Sequence, residues 1–67
     1  MKGICKWFDD RKGYGFILGD DGKEYFCHHS EIKEKGFKTL IEGERVEFEE
    51  SKNEKGLVAK DVRKIEE

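Results

Sequence analysis

An alternation of glycine and aromatic residues over positions 12–17 constrains the fold of this chain more than any other feature. The segment reads KGYGFI. As a β-strand it places Tyr14 and Phe16 on one face, with Gly13 and Gly15 on the other. Glycine has no side chain to bury, and inside a strand it usually marks a bulge, a bend or a close backbone approach. The pattern therefore predicts a tightly curved sheet that displays its aromatic side chains.

A second strand follows after a short polar loop. Residues 19–23 read GDDGK, and the central Asp-Gly is a hairpin turn signal. Closing the hairpin around this loop pairs Leu18 with Glu24. The pairs that then share one face are Phe16–Phe26 and Tyr14–His28. Their rings form a contiguous patch, which is either a core face or a stacking platform for nucleobases.

The rest of the chain favours the platform. A chain of 67 residues buries only about 60% of its unfolded surface. With 34% hydrophobic residues, exposed rings are costly unless they have a function. A barrel has one interior, and another set of apolar residues is predicted to fill it: Cys5, Ile17, Cys27, Ile32, Leu40, Val46, Phe48, Val58 and Val62.

Short strands with polar or glycine-bearing connections recur along the chain. We predict a short helical turn capped by Ser30, a loop anchored by Leu40 and Ile41, and a polar loop over residues 51–56. Such spacing, with no long helix, predicts a single all-β domain over residues 1–67, a small five-stranded barrel. The predicted strands cover residues 2–8, 14–18, 24–28, 45–49 and 57–64.

The first strand is ambiguous. Strict alternation puts Cys5 with Trp7 on one face and Ile4 with Phe8 on the other. Both faces carry apolar side chains, so alternation does not decide which one faces solvent.

Several classes of protein do not fit this chain. It has no run of about 18 apolar residues and a short, charged start, so we expect no membrane span, no signal peptide and a cytoplasmic protein. Cys5 and Cys27 are then expected to be reduced and buried. Cys27, His28 and His29 lack the spacing of a zinc knuckle or ribbon, so we predict no metal and no cofactor. They also suggest no arrangement of nucleophile, base and orienting carboxylate, so no enzyme is predicted.

The net charge bears on the partner. It is −2, whereas nucleic-acid-binding domains often carry basic patches. Affinity for nucleic acid would therefore depend on stacking more than on phosphate neutralisation. The same charge leaves open an alternative, an adaptor whose aromatic face docks a protein.

Five segments carry a resemblance to a known family. They are residues 3–8 with their KWF, 12–17, FCHHS at 26–30, GFKTL at 36–40 and the Glu42-Gly43 turn. Over nearly its whole length the chain resembles bacterial cold-shock proteins. Residues 12–17 and 26–30 are similar to the first and second RNA-binding motifs of that family.

The resemblance implies a five-stranded antiparallel OB-fold barrel that binds single-stranded RNA and single-stranded DNA. It also puts Trp7 on the platform. The binding face that it implies comprises Lys6, Trp7, Lys12, Tyr14, Phe16, Phe26, His28 and Phe37, and we add His29 and Lys38 as candidates. A closed barrel with a charged surface also predicts a monomer.

This chain departs from the family pattern at four positions. His29 stands where the family usually has Phe or Tyr, and Leu57 where it usually has proline. Tyr25 and Cys27 replace smaller aliphatic residues of the predicted third strand.

A stacking platform reaches only unpaired bases. Binding therefore shifts hairpins towards melting by mass action, which is an RNA-chaperone activity that needs no ATP. A regulatory role in transcription or translation and induction by cold are both compatible with this prediction.

Overall fold

The computed structural model describes residues 1–33 and 39–65, which form a closed five-stranded barrel. The strand order around the barrel is β1-β2-β3-β5-β4. A single 3-10 turn, His29–Glu31, follows β3. The strands are β1 (Lys2–Asp9), β2 (Tyr14–Gly19), β3 (Glu24–His28), β4 (Arg45–Asn53) and β5 (Gly56–Lys64). The predicted all-β barrel is thus confirmed.

One pairing in the barrel is parallel. β3 and β5 pair in parallel at Phe26 and Val58, whereas the β1–β2, β1–β4, β2–β3 and β4–β5 pairs are antiparallel. An odd number of strands cannot alternate in direction all the way round a closed ring. The predicted antiparallel OB-fold barrel is therefore closed by one parallel strand pair, β3 with β5.

The predicted hairpin register is confirmed. Tyr14 lies opposite His28, Phe16 opposite Phe26 and Leu18 opposite Glu24. The last hairpin is longer than predicted, because the polar segment 51–56 belongs mostly to β4 and β5 and pairs across them.

A bulge in β1 resolves the ambiguity of the first strand. The register passes from Cys5 opposite Ile17 to Trp7 opposite Phe16, which leaves Lys6 as the extra residue. The bulge breaks strict alternation, so Cys5 is buried while Trp7 is 39% exposed. Phe8 packs partly against the core.

The barrel interior contains every residue of the predicted core except Val58, and it contains Tyr25 and Ala59 in addition. Val58 is only half-buried on the outer surface, and Ala59 is in the core instead. A register shift between Glu47 and Glu49, with Asp61 at φ 50°, inserts an extra residue in β5. The buried core consists of Cys5, Ile17, Tyr25, Cys27, Ile32, Leu40, Val46, Phe48, Ala59 and Val62.

Two local predictions are wrong. Ile41 is 65% exposed and does not belong to the buried core, whereas Leu40 is buried as expected. The helical turn is capped by the His28 side chain, which accepts a hydrogen bond from the backbone N–H of Ser30. Ser30 lies inside the turn, so its own N–H is one of those that need an acceptor.

Tyr25 enters the core with its hydroxyl directed to a polar rim. The side chain is 1% exposed and its ring centroid lies 4.9 Å from that of Phe48. The hydroxyl donates to Asp21 Oδ2 at 2.6 Å and lies 3.3 Å from Glu50 Oε2. The hydrogen bond from Tyr25 holds the pKa of the Asp21 carboxyl below its usual value, and the same bond raises the pKa of Tyr25.

Replacing Tyr25 with phenylalanine should lower the thermal midpoint by roughly 4–8 °C, because one hydrogen bond to a carboxylate is lost while ring packing is kept. The stability that the Asp21 carboxylate contributes to the folded state is complete above pH 3.8, its usual pKa. It is lost as the pH falls through the lower pKa that Asp21 has in the folded protein. The Tyr25 contribution is complete below pH 10 and declines above it. Thermal melts at several pH values should therefore show that the thermal midpoint of Tyr25→Phe depends less on pH, at both the acid and the alkaline end, than that of the unmodified protein. Tyr14→Phe is the control, and equal effects of the two changes would contradict the prediction.

Within residues 1–33 and 39–65, no helix is long and apolar enough to cross a bilayer.

Candidate nucleic-acid interface

Four aromatic side chains form a continuous patch on the outer face of β1, β2 and β3. The ring patch, as we call it, consists of Trp7, Tyr14, Phe16 and Phe26. Trp7 lies 5.9 Å from Tyr14 and 5.6 Å from Phe16, centroid to centroid. Phe26 lies 5.6 Å from Tyr14 and 5.8 Å from Phe16. Tyr14, Phe16 and Phe26 are half-buried, so each ring packs on its neighbours and still presents surface to solvent.

The two histidines continue from the end of β3 and are both exposed. Their ring centroids are 4.3 Å apart at an interplanar angle of 35°. His28 Nδ1 accepts from the Ser30 N–H at 3.2 Å and lies 2.9 Å from Ser30 Oγ, which orients its ring. His29 lies over Gly13, where an added Cβ would come within 2.6 Å of His29 Cδ2. The structure thus places His28 and His29 beside the turn that leads into β2.

The candidate lysines differ in their surroundings. Lys6 forms an ion pair with Glu24, and both side chains are about half exposed. Lys12 is exposed in the β1–β2 turn, which Asp9 Oδ1 holds by accepting from the backbone N–H groups of Arg11 and Lys12 at 2.9 and 3.0 Å. Phe37 and Lys38 lie outside the described residues.

Sequence reasoning missed a groove that flanks the ring patch. Its volume is about 800 Å³, and it runs between Phe16 and Phe26 on one side and the β4–β5 hairpin on the other. Leu57 and Val58 supply the apolar part of the far wall. The parallel closure of β3 on β5 brings them there, and no local pattern in the sequence signals that pairing. The remaining lining residues are Glu24, Asn53, Glu54, Lys55 and Gly56.

An aliphatic pair extends the apolar surface beyond the rings. Ile4 and Leu18 lie opposite each other on β1 and β2, with 37% and 42% of their surfaces exposed. Leu18 shares the outward face with Phe16 by strand alternation. The apolar strip on β2 therefore runs from Tyr14 to Leu18.

The thiols do not contribute reactive groups to this surface. Both cysteines are free and buried, as predicted. Burial is the main cause that raises the pKa of Cys5 to about 11 and of Cys27 to about 12, so both are protonated at neutral pH. Among the described residues, no group of three or more His, Cys, Asp or Glu side chains could hold a metal ion.

Comparison with known proteins identifies the family. The family described as 'Cold-shock' DNA-binding domain matches residues 1–65. The chain belongs to the cold-shock domain family. The resemblance predicted from the sequence is thereby confirmed, and this cold-shock domain is a nucleic-acid-binding protein and not an enzyme.

Curated relatives agree over nearly their whole lengths. A cold shock-like protein CspA of Stigmatella aurantiaca is 56% identical over 64 residues, which cover 94% of each chain. A cold shock-like protein of Thermotoga maritima is 52% identical over 98% of this chain and 100% of its own. Cold shock-like protein CspE of Escherichia coli is 52% identical over 92% and 91%. These relatives support a cold-shock protein role for this cold-shock domain.

Proposed function

We propose that this cold-shock domain binds single-stranded RNA and single-stranded DNA by stacking unpaired bases on the ring patch, and that it acts as an ATP-independent RNA chaperone. The observation that carries the proposal is an outward patch of four rings, each in contact with two of the others, on a barrel whose interior is filled by other residues. A small domain needs to bury its apolar side chains for stability, and exposed rings do not contribute that burial. A stacking function explains why these rings are exposed.

Stacking supplies enough free energy for this role. Each base–aromatic stack contributes about 1–3 kcal/mol and tolerates any base, because every base has a π-face. The curved outer face of three strands presents the rings side by side, so successive bases of one strand can stack in turn. His28, His29, Lys6 and Lys12 surround the patch as candidate contacts, and Phe37 and Lys38 stay predictions.

Preference for unpaired strands leads to the chaperone activity. Bases inside a duplex cannot reach an outward-facing patch, so the protein binds the open form of a hairpin better than the closed form. Mass action then favours melting of the hairpin without any coupled hydrolysis.

We further propose that the protein works in the cytoplasm and that residues 1–67 form one domain. We also propose that it is a monomer, since the closed barrel leaves no open sheet edge.

The test is a titration followed by the fluorescence of Trp7, the only tryptophan. Oligo-dT or oligo-U should quench it as bases stack, and a duplex of equal length should quench it far less. Opening of a fluorophore-labelled RNA hairpin without ATP tests the chaperone activity. No quenching at roughly tens of micromolar oligonucleotide in low salt would exclude the proposed binding, given the stacking energies expected.

Salt should weaken binding only modestly. Each neutralised phosphate contributes a slope of about −0.7 to log K against log salt for single strands. In the part of the chain that the structure describes, Lys6 and Lys12 are the candidate lysines around the patch, and the net charge is −2, so we expect a slope of about −2 or shallower. Titrations at several salt concentrations measure it. A slope of about −5 or steeper would mean that phosphate contacts dominate.

A further inference from the structure

An ion pair crosses the sheet at one end of the ring patch. Lys6, the bulged residue of β1, contacts Glu24 Oε1 on β3 through its Nζ. β2 lies between these strands, with Phe16 and Leu18 on the same face. Two strand spacings amount to about 9–10 Å, so both side chains must reach over β2 to meet. The pair thus extends across the surface on which bases would stack.

We infer that Glu24 limits the affinity of this cold-shock domain for single strands by holding Lys6, and that a backbone phosphate of the bound strand displaces the Glu24 carboxylate. The inference rests on the proposed function, because it concerns the same surface. It assigns to Glu24 the role of a competitor whose carboxylate takes the position of a phosphate.

The chemistry of the pair supports competition. The ammonium of Lys6 has three donors and no acceptor, and carboxylate and phosphate oxygens are alternative acceptors for the same donors. The side chains of Lys6 and Glu24 are 52% and 48% exposed, so solvent screens their attraction and opening the pair costs little. The pair therefore lowers affinity without preventing binding.

The position of the pair supports a role in binding. Lys6 immediately precedes Trp7, which contacts two other rings of the patch. Glu24 also lines the groove beside Phe16 and Phe26. A strand that stacks on these rings and enters the groove passes both members of the pair.

The first experiment compares two variants with the same change of charge. Binding of end-labelled oligo-dT is measured by fluorescence anisotropy for the unmodified protein, Glu24→Gln and the control Glu54→Gln. Glu54 lines the same groove, so its replacement reports the general effect of removing one negative charge. We expect Glu24→Gln to bind roughly 2- to 5-fold tighter at low salt, the range for opening an exposed ion pair, and Glu54→Gln to change less. Equal gains in the two variants would overturn the inference.

A double-mutant cycle separates competition for Lys6 from repulsion of phosphates by Glu24. Lys6→Gln should cost little affinity alone, because the lysine gives up one partner to gain another. The same change in the Glu24→Gln background should cost more, since Lys6 then contacts phosphate without a competitor. Equal costs in both backgrounds would overturn the inference. Circular dichroism checks that each variant keeps its fold.

The outcomes distinguish this inference from the function on which it rests. If the unmodified protein does not bind oligo-dT, the proposed function fails and the inference fails with it. If the unmodified protein binds and Glu24→Gln binds equally well, only the role of Glu24 is rejected.

Discussion

Replacing Phe16 and Phe26 together with alanine should weaken binding of single-stranded oligonucleotides by at least about 30-fold. The two changes remove two stacks of about 1–3 kcal/mol each, hence about 2–6 kcal/mol in total. The rings face each other across β2 and β3, and both line the groove, so their loss interrupts the patch at its centre. Anisotropy of a labelled oligo-dT measures the affinity independently of Trp7.

The matched control is Ile41→Ala, which removes an apolar side chain that is 65% exposed and lies outside the ring patch. It should leave the affinity unchanged. Phe16 and Phe26 are half-buried, so circular dichroism and a thermal melt must show that the double variant is folded at the temperature of the assay. Undiminished oligonucleotide binding by a folded double variant would contradict the stacking proposal. If the double variant also lost a protein complex, it would support the adaptor alternative.

Replacing Gly15 with alanine should destabilise the barrel by about 3–5 kcal/mol, a cost reached where a side chain has no space. A Cβ at this position would lie 2.2 Å from the carbonyl oxygen of Trp7 and 2.7 Å from Cα of Phe8. Both are backbone atoms of β1, so the contact can be relieved only by moving β1 away from β2. At about 0.05–0.15 kcal/mol per residue, a chain of 67 residues has a total stability of roughly 3–10 kcal/mol, so the variant should lose a large part of its stability.

Urea denaturation measures this loss, and Gly22→Ala is the control. Gly22 lies in the β2–β3 turn at φ 82°, and nothing lies within 4 Å of its added Cβ. That change carries only the backbone strain of about 1–2 kcal/mol for a side chain in the left-handed region. Similar midpoints for the two variants would show that β1 accommodates the Gly15 methyl group, contrary to the geometry.

Several features of this protein follow from local sequence alone. The Asp-Gly turn determines the hairpin register, and that register with strand alternation puts Phe16 beside Phe26 and Tyr14 beside His28. Glycine at position 15 predicts the close backbone approach that the structure has there. These are relations between residues a few positions apart, for which turn geometry and period-two alternation are sufficient.

Other features needed the closed barrel, because they depend on strands distant in sequence. The bulge at Lys6 exposes Trp7 while Cys5 stays buried, and an extra residue in β5 replaces Val58 with Ala59 in the core. Strict alternation cannot predict a bulge, because a bulge is a mismatch between two paired strands in which two residues of one strand lie opposite one residue of the other. The barrel likewise brings Glu50 of β4 to within 3.3 Å of the Tyr25 hydroxyl, a contact between residues 25 positions apart.

The candidate site divides in the same way. The sequence by itself determined that the aromatic side chains of β2 and β3 lie on the same face of the sheet, because the two strands of a hairpin pair locally. Only the tertiary structure brought Leu57 and Val58 to the groove and Lys6 to Glu24. The parallel closure of β3 on β5 and the bulge in β1 produce those contacts, and both result from closing five strands into one ring.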